Sequence, residues 1–211
     1  RRDGYDVKAS AVRFTAEALQ AGKLLVMANA TEALTGEEIA AVAKWVADAG
    51  AMLLIADHPP FEAAAAELGK AFGVRFREGV AWPKASDNAR IVFRRSDGTL
   101  ADHPVTKDID EVATFTGTSF QLDAPGHPLL VFGPGVYSVK EKADPSPVEI
   151  KGQLQGAVLP FKQGRLAVFG EAAMCSAQLS GPDRRPMGMN AAVARQNARF
   201  LLNVIHWLTG I

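Results

Sequence analysis

The protein has 211 residues, with 23 basic and 23 acidic side chains, so its formal net charge is zero with the histidines neutral. A neutral chain without a long basic run lacks the electrostatic footprint of a nucleic-acid-binding protein. No stretch approaches the roughly 20 consecutive apolar residues that a membrane-spanning helix needs. The single cysteine, Cys175, excludes an internal disulfide and any zinc site built from several cysteines.

The first third of the chain alternates between strand and helix patterns. Residues 1–4 are typical of the last turn and capping glycine of a helix, and residues 23–28 form a nearly continuous apolar run that predicts a buried strand. Thr35 begins a capping box and therefore a helix. A second buried strand follows at residues 51–56, and an alanine-rich helix follows at residues 61–72. This order predicts a parallel sheet covered by helices.

The middle of the chain, from about residue 74 to residue 155, has a different pattern. Its strand-like segments are shorter, and Gly, Pro and Asp separate them. We predict a strand- and loop-rich insertion that extends the sheet with antiparallel strands, within a single α/β domain over residues 1–211. The alternation returns with a strand at residues 165–169 and a last helix, which Asn190 is predicted to cap.

Polar residues follow three of the predicted strands. Asn29 follows the first strand, Asp57 and His58 follow the second, and Glu171 follows the strand at residues 165–169. Ligands bind beyond the carboxyl ends of the strands in an open parallel sheet, so we expect these side chains to share one edge. A carboxylate and an imidazole can act as general acid and base, which makes Asp57, His58 and Glu171 the candidate catalytic residues.

Each candidate also has a purely structural interpretation. Asp57 can cap the following helix while His58 makes one satisfied hydrogen bond, and a helix macrodipole alone can stabilise Glu171. The macrodipole would lower the pKa of Glu171 and favour a ligand or electrostatic role over a proton donor. Under the functional interpretation, Asn190 and Asn197 gather at the same edge and bind substrate together with Asn29.

Other potentially reactive residues give weaker signals. Cys175 follows Glu171 by four residues, but a thiolate nucleophile needs a nearby base, and a lone cysteine is more often a small buried apolar residue. His103 and His127 each precede a proline, which favours extended backbone and a structural role in a turn. The sequence has no HExxH, HxH or paired-cysteine spacing, so we assign no metal ligands, and it does not indicate a cofactor.

Four segments carry a family resemblance that covers the first and last thirds of the chain. They are LTGEEIAAVAKWVADAGAMLLIADHPPF, GEAAMCSAQ, GMN ending at Asn190, and QNARFLLNVIHWLTG. With these, the chain resembles an uncharacterised bacterial family of the class I glutamine amidotransferase-like superfamily. The resemblance implies a flavodoxin-like three-layer sandwich with a mainly parallel sheet, export to the periplasm or beyond, and no established activity. It also implies an upstream strand that carries part of the polar cluster.

The chain departs from true amidotransferases at one turn. They carry a nucleophilic cysteine at a sharp strand-to-helix turn, where this chain has Asp-His-Pro-Pro at residues 57–60, so amidotransferase chemistry is not expected. The leading hypothesis is a small-molecule hydrolase in which water attacks an ester, glycosidic or phosphoester bond. The alternative is a non-catalytic exported module that binds a ligand or an envelope partner. An exposed sheet edge would also allow homo-oligomers.

Overall fold

The computed structural model describes residues 4–84, 86, 88–140 and 144–211. The predicted helix end therefore lies largely outside the described residues, which begin at Gly4. In chain order the helices and strands are α1 (Ala16–Gln20), β1 (Leu24–Ala28), α2 (Gly36–Ala47), β2 (Ala51–Ile55), α3 (Phe61–Ala71), β3 (Val74–Phe76), β4 (Val80–Pro83), β5 (Ile91–Arg94), β6 (Glu111–Thr114), β7 (Phe120–Leu122), β8 (His127–Val131), β9 (Val136–Val139), β10 (Val148–Glu149), β11 (Leu154–Phe161), β12 (Gly164–Phe169), β13 (Ala177–Ser180), β14 (Arg185–Gly188) and α4 (Asn197–Thr209).

The main sheet has seven strands in the order β1-β2-β12-β11-β7-β3, and β8 also pairs with β11. β1, β2 and β12 are parallel neighbours, whereas β11, β7, β8 and β3 extend the sheet in antiparallel pairs. Ala28 lies opposite Ile55, and Ile55 lies opposite Phe169, so the three parallel strands end at one edge. The predicted α/β fold with an antiparallel extension is confirmed.

Helices cover both faces of this sheet. Side chains of a strand alternate between its two faces, and in β2 Leu53 packs toward Phe200 of α4. Its neighbour Leu54 faces the opposite way and packs in the core that holds Val46 of α2 and Leu68 of α3. β2 is buried along its whole length, which explains why its sequence is continuously apolar and does not alternate.

The middle of the chain forms the predicted short strands. β3, β7 and β8 join the main sheet, while β10, β9 and β4 form a three-stranded sheet and β5 pairs with β6. β13 and β14 form a hairpin whose residues are mostly exposed. Among the described residues, no helix is both long and apolar enough to cross a membrane.

The helix starts follow the sequence in one case and depart from it in another. The capping box of α2 is confirmed: Thr35 Oγ1 accepts from the N–H of Glu38 at 3.3 Å, and the Glu38 carboxylate accepts from the N–H of Thr35 at 3.0 Å. The prediction that Asn190 caps the last helix is wrong. A 3₁₀ turn at Ala192–Ala194 intervenes, and α4 begins at Asn197 with Gln196 in the capping position.

Candidate functional site

Four of the predicted site residues meet at the carboxyl edge of β1, β2 and β12. Asn29 lies directly after β1, and its Oδ1 accepts a hydrogen bond from the N–H of Asp57 at 3.0 Å. Asn29 has a φ of 50°, a left-handed conformation that asparagine tolerates better than most residues. The amide of Asn29 thus fixes the backbone at the point where Asp57 leaves β2.

The Asp57 carboxylate connects three segments of the chain. Its Oδ1 accepts from the N–H of His58 at 2.7 Å and from Thr116 Oγ1 at 3.2 Å, and its Oδ2 accepts from the N–H of Ala172 at 3.1 Å. The residue is only 5% exposed. Asp57 does not cap α3, because Pro60 holds the capping position there without a side-chain bond.

Glu171 is fully buried beside Asp57, and its carboxyl oxygens accept from the N–H groups of Ala173 at 2.9 Å and Met174 at 2.7 Å. Burial, helped by the charge of Asp57, raises the pKa of Glu171 to about 8 despite these hydrogen bonds. The predicted lowering of this pKa by a macrodipole is wrong, because only a three-residue 3₁₀ turn, Ala173–Cys175, follows Glu171. Glu171 therefore holds a proton at neutral pH.

His58 is the part of the cluster that solvent reaches, with 38% of its side chain exposed. Its Nδ1 lies 3.0 Å from the carbonyl oxygen of Pro59, and since a carbonyl only accepts, Nδ1 is the donor. In the neutral imidazole the lone pair is then on Nε2, which lies 3.8 Å from Asp57 Oδ1. Nε2 of the neutral ring therefore presents its lone pair close to the Asp57 carboxylate.

The two remaining predicted residues take no part in this cluster. Asn190 is exposed and donates to the carbonyl of Gln178 at 3.0 Å, at the base of the β13–β14 hairpin. Asn197 is 1% exposed, and its amide bonds to both the N–H and the carbonyl of Ala113 and to the carbonyl of Met174. Asn197 joins the start of α4 to β6 and has no polar atom left for a substrate.

Two buried polar side chains that the sequence analysis missed border the same edge. Glu62, in the first turn of α3, is 4% exposed, and Gln155 of β11 is fully buried. Among the described residues, Glu62 Oε2 and Gln155 Oε1 are the buried side-chain atoms without a hydrogen-bond partner. Burial raises the pKa of Glu62, and the charge of Glu78 adds to the effect. Glu62 shares the buried face of α3 with Ala65 and Gly69, and that spacing was a readable signal.

The loop between β6 and β7 closes over this edge. Gly117, with a φ of 108°, lies so close to Gly170, Gln155 and Glu171 that a Cβ here would come within 2.6 Å of Gln155 Nε2 and 2.8 Å of Glu171 Cβ. Gln155 Nε2 also donates to the carbonyl of Thr116 at 3.0 Å. Because this loop covers Glu171 and Gln155, a ligand from solvent meets His58 first.

Among the described residues, this edge provides neither a cysteine nucleophile nor a metal centre. Burial raises the pKa of the Cys175 thiol, so the thiolate that a nucleophile requires is disfavoured. Within the described part of the chain, no group of three or more His, Cys, Asp and Glu residues is arranged to hold a metal ion.

The comparisons with known proteins support the fold and nothing beyond the fold. No family model and no curated protein matches the sequence. The mmIFT52 N-terminal domain is similar in structure, with a TM-score of 0.73 and 15% identity over 99% of this chain and 86% of that one. Cytoplasmic protein STM1381 from Salmonella typhimurium LT2 has a TM-score of 0.61 and 14% identity over 94% of this chain and 76% of that one. A ThuA-like protein from Bacteroides uniformis has a TM-score of 0.55 and 13% identity over 92% of this chain and 72% of that one. At 13–15% identity these similarities show the fold alone, a flavodoxin-like α/β fold.

Proposed function

We propose that the carboxyl edge of β1, β2 and β12 is the acid–base site of a hydrolase that acts on small molecules. The supporting observation is that Asp57, His58 and Glu171 meet at this edge and differ in their access to solvent. His58 is exposed, Asp57 is almost buried, and Glu171 is buried with a pKa raised to about 8. A carboxyl group with a raised pKa, close to a histidine at a sheet edge, is typical of functional sites.

His58 is the general base of the proposed reaction. Its Nε2 takes a proton from water, and the oxygen of that water forms a bond to the carbon or phosphorus of an ester, glycosidic or phosphoester group. The bond to the leaving group breaks, and the proton on Nε2 returns to the leaving oxygen. Asp57, whose Oδ1 lies 3.8 Å from Nε2, stabilises the imidazolium between these steps.

Glu171 acts as a positioning residue in this proposal. It is fully buried, so it cannot touch a substrate in the described conformation. Its protonated carboxyl avoids a second negative charge beside Asp57, and its bonds to Ala173 and Met174 fix the turn that also donates to Asp57. Asn29 similarly fixes the backbone of Asp57.

Hydrolysis of chromogenic substrates tests this function. The protein is assayed with nitrophenyl esters, glycosides and phosphates, and His58→Ala and Asp57→Asn are assayed on any substrate that is cleaved. Loss of a general base is expected to lower the rate by about 10²–10⁴-fold. His206→Ala, which removes a histidine from the last turn of α4, is the matched control. Equal turnover by His58→Ala and the control would contradict the proposal.

A non-catalytic ligand-binding module is the second candidate. It is favoured by the hydrogen bonds of Asp57 and Glu171, which go mainly to backbone N–H groups and suit a rigid frame. A ligand that binds only the folded protein raises its melting temperature. A rise with a sugar, nucleotide or metal salt that His58→Ala abolishes, together with no turnover of any substrate, would support this candidate over the hydrolase.

We also propose that the protein belongs to the exported bacterial family that its sequence resembles. We further propose that two copies of the protein associate through β1. β1 ends the main sheet and pairs only with β2 among the described strands, and Val26 on it is 54% exposed. An edge strand presents unpaired backbone N–H and C=O groups with which a strand of another molecule can pair. Light scattering after size exclusion is expected to show a dimer that Val26→Lys converts to monomer. A monomeric starting protein would contradict the association.

A further inference from the structure

A second cluster of titratable side chains lies where β8 meets the end of α4. The rings of His103 and His127 have centroids 5.3 Å apart, and His103 stands edge-on to Trp207 at 5.9 Å. Trp207 also contacts Arg165, near the start of β12, whereas Glu171 follows the end of that strand. The cluster is therefore at the opposite end of the sheet from the proposed acid–base site, which does not use it.

The side chain of His103 caps a 3₁₀ turn, Pro104–Thr106, through one of its two ring nitrogens. Its Nδ1 accepts a hydrogen bond from the N–H of Val105 at 3.1 Å, and its own N–H donates to Thr106 Oγ1 at 3.0 Å. Only an unprotonated ring nitrogen can accept, so this cap requires neutral His103. Asn203 of α4 donates to the carbonyl of Val105 at 3.0 Å, so the same turn is held against α4.

The charges around His103 oppose its protonation on balance. Burial lowers its pKa from 6.5, and the charge of His127 on β8 adds to the effect. Asp102 acts in the other direction, but its side chain is 95% exposed and paired with Arg95 at 3.1 Å. On the side of α4 and β12, the cation of Arg165 lies over the ring of Trp207, which contacts His103.

We propose that His103, beside His127, is an acid-sensitive latch: its neutral ring holds the Pro104–Thr106 turn on α4, and protonation of its Nδ1 loosens that turn. Protonated Nδ1 of His103 can no longer accept from the N–H of Val105. A positive charge on His127, 5.3 Å away by ring centroid, adds repulsion. Loss of this bond loosens the backbone around Val105, whose side chain is almost completely buried.

The direction of the pH dependence follows from linkage. Since the folded pKa of His103 lies below 6.5, the loosened state binds more protons than the latched state at mildly acidic pH. The latch is therefore fully stable above about pH 6.5, and its stability falls as the pH drops below that value.

Hydrogen exchange of the Val105 amide tests the latch. His103→Asn is the informative variant, because asparagine caps helical turns well but does not titrate. Between pH 7.5 and pH 5.0 the protection factor of this amide is expected to fall by about tenfold in the unmodified protein, the effect of losing one hydrogen bond. It should stay constant in His103→Asn and fall less steeply in His127→Gln. An equal fall in the starting protein and His103→Asn would overturn the proposal.

A titration of the unmodified protein covers the case in which the variants fold poorly. NMR signals of the His103 ring and of the Val105 amide are followed from pH 8 to pH 4.5. Both are expected to change with one common midpoint below 6.5. A midpoint of His103 at or above 6.5, or a Val105 amide signal that does not follow it, would overturn the proposal.

Discussion

The carboxylate of Asp57 accepts a hydrogen bond from the N–H of Ala172 at 3.1 Å, and this bond joins the end of β2 to the turn after β12. The two segments are 115 residues apart in the chain. The same carboxylate accepts from Thr116 at 3.2 Å, so the covering loop between β6 and β7 depends on it too. Asp57 thus holds three segments of the chain together, and it is also the charged neighbour of His58.

Asp57→Ala is expected to lower the free energy of unfolding by about 2–4 kcal/mol. The variant leaves three donors at a nearly closed site without their acceptor, namely Thr116 Oγ1 and the N–H groups of His58 and Ala172. One unsatisfied buried group costs roughly 1–3 kcal/mol, and some of these donors will find water. Urea unfolding measures the change.

Asp48→Ala is the control for this substitution. Asp48 pairs with Lys44 on the exposed surface of α2, and an exposed pair contributes about 0–1 kcal/mol. If Asp57→Ala lowers the free energy of unfolding no more than Asp48→Ala does, the hydrogen bonds of Asp57 do not stabilise the fold.

Glu171→Gln is expected to remove a pH dependence of stability. The folded pKa of Glu171 is about 8 against 4.5 for an ordinary glutamate, so between these values the folded state holds a proton that the unfolded state has lost. Stability therefore falls as the pH rises from 4.5 to 8, by on the order of 4 kcal/mol from this group. Urea unfolding from pH 4.5 to pH 8.5 should give a flatter profile for Glu171→Gln, and parallel profiles would contradict the assignment.

The strand ends were predictable from the sequence, and the protonation of Glu171 was not. β2 and β12 are buried on both faces, so each appears in the sequence as an uninterrupted apolar run with a polar residue behind it. The raised pKa of Glu171 instead depends on its burial under a loop that includes Gly117, far away in the chain. The position of Gln155 beside Gly170 likewise depends on tertiary structure, and no pattern in the neighbouring sequence predicts it.

The error at Asn190 has a local cause. Asparagine before a run of alanine and valine has the same pattern whether it caps an α-helix or precedes a short turn. Here the short turn forms, and the side chain of Asn197 then bonds to Ala113 on β6. That contact spans 84 residues, so only the assembled fold determines where α4 begins.

Gly117→Ala tests how tightly the covering loop fits. At a φ of 108° an added Cβ is strained, and it would also collide with Gln155 and Glu171. We expect a loss of about 2 kcal/mol or more, since backbone strain and overpacking act together. Gly98→Ala is the matched control, with a φ of 76° and nothing within 4 Å of the new Cβ, and it should cost only about 1 kcal/mol. Equal losses in thermal unfolding would show that the loop is loosely packed.

Glu62→Gln is expected to stabilise the protein at alkaline pH. Glu62 is buried on the inner face of α3, its Oε2 has no partner among the described residues, and its pKa is raised by burial and by Glu78. A raised carboxyl pKa means that stability is lost as the pH rises above 4.5, because folding must then accommodate the buried charge. The gain should grow as the pH rises above 4.5 and should vanish well below 4.5, where the carboxyl is protonated in both states. Glu67→Gln on the exposed face of the same helix removes an equal charge without changing the interior, so a gain of the same size in that variant would assign the effect to surface charge and not to Glu62.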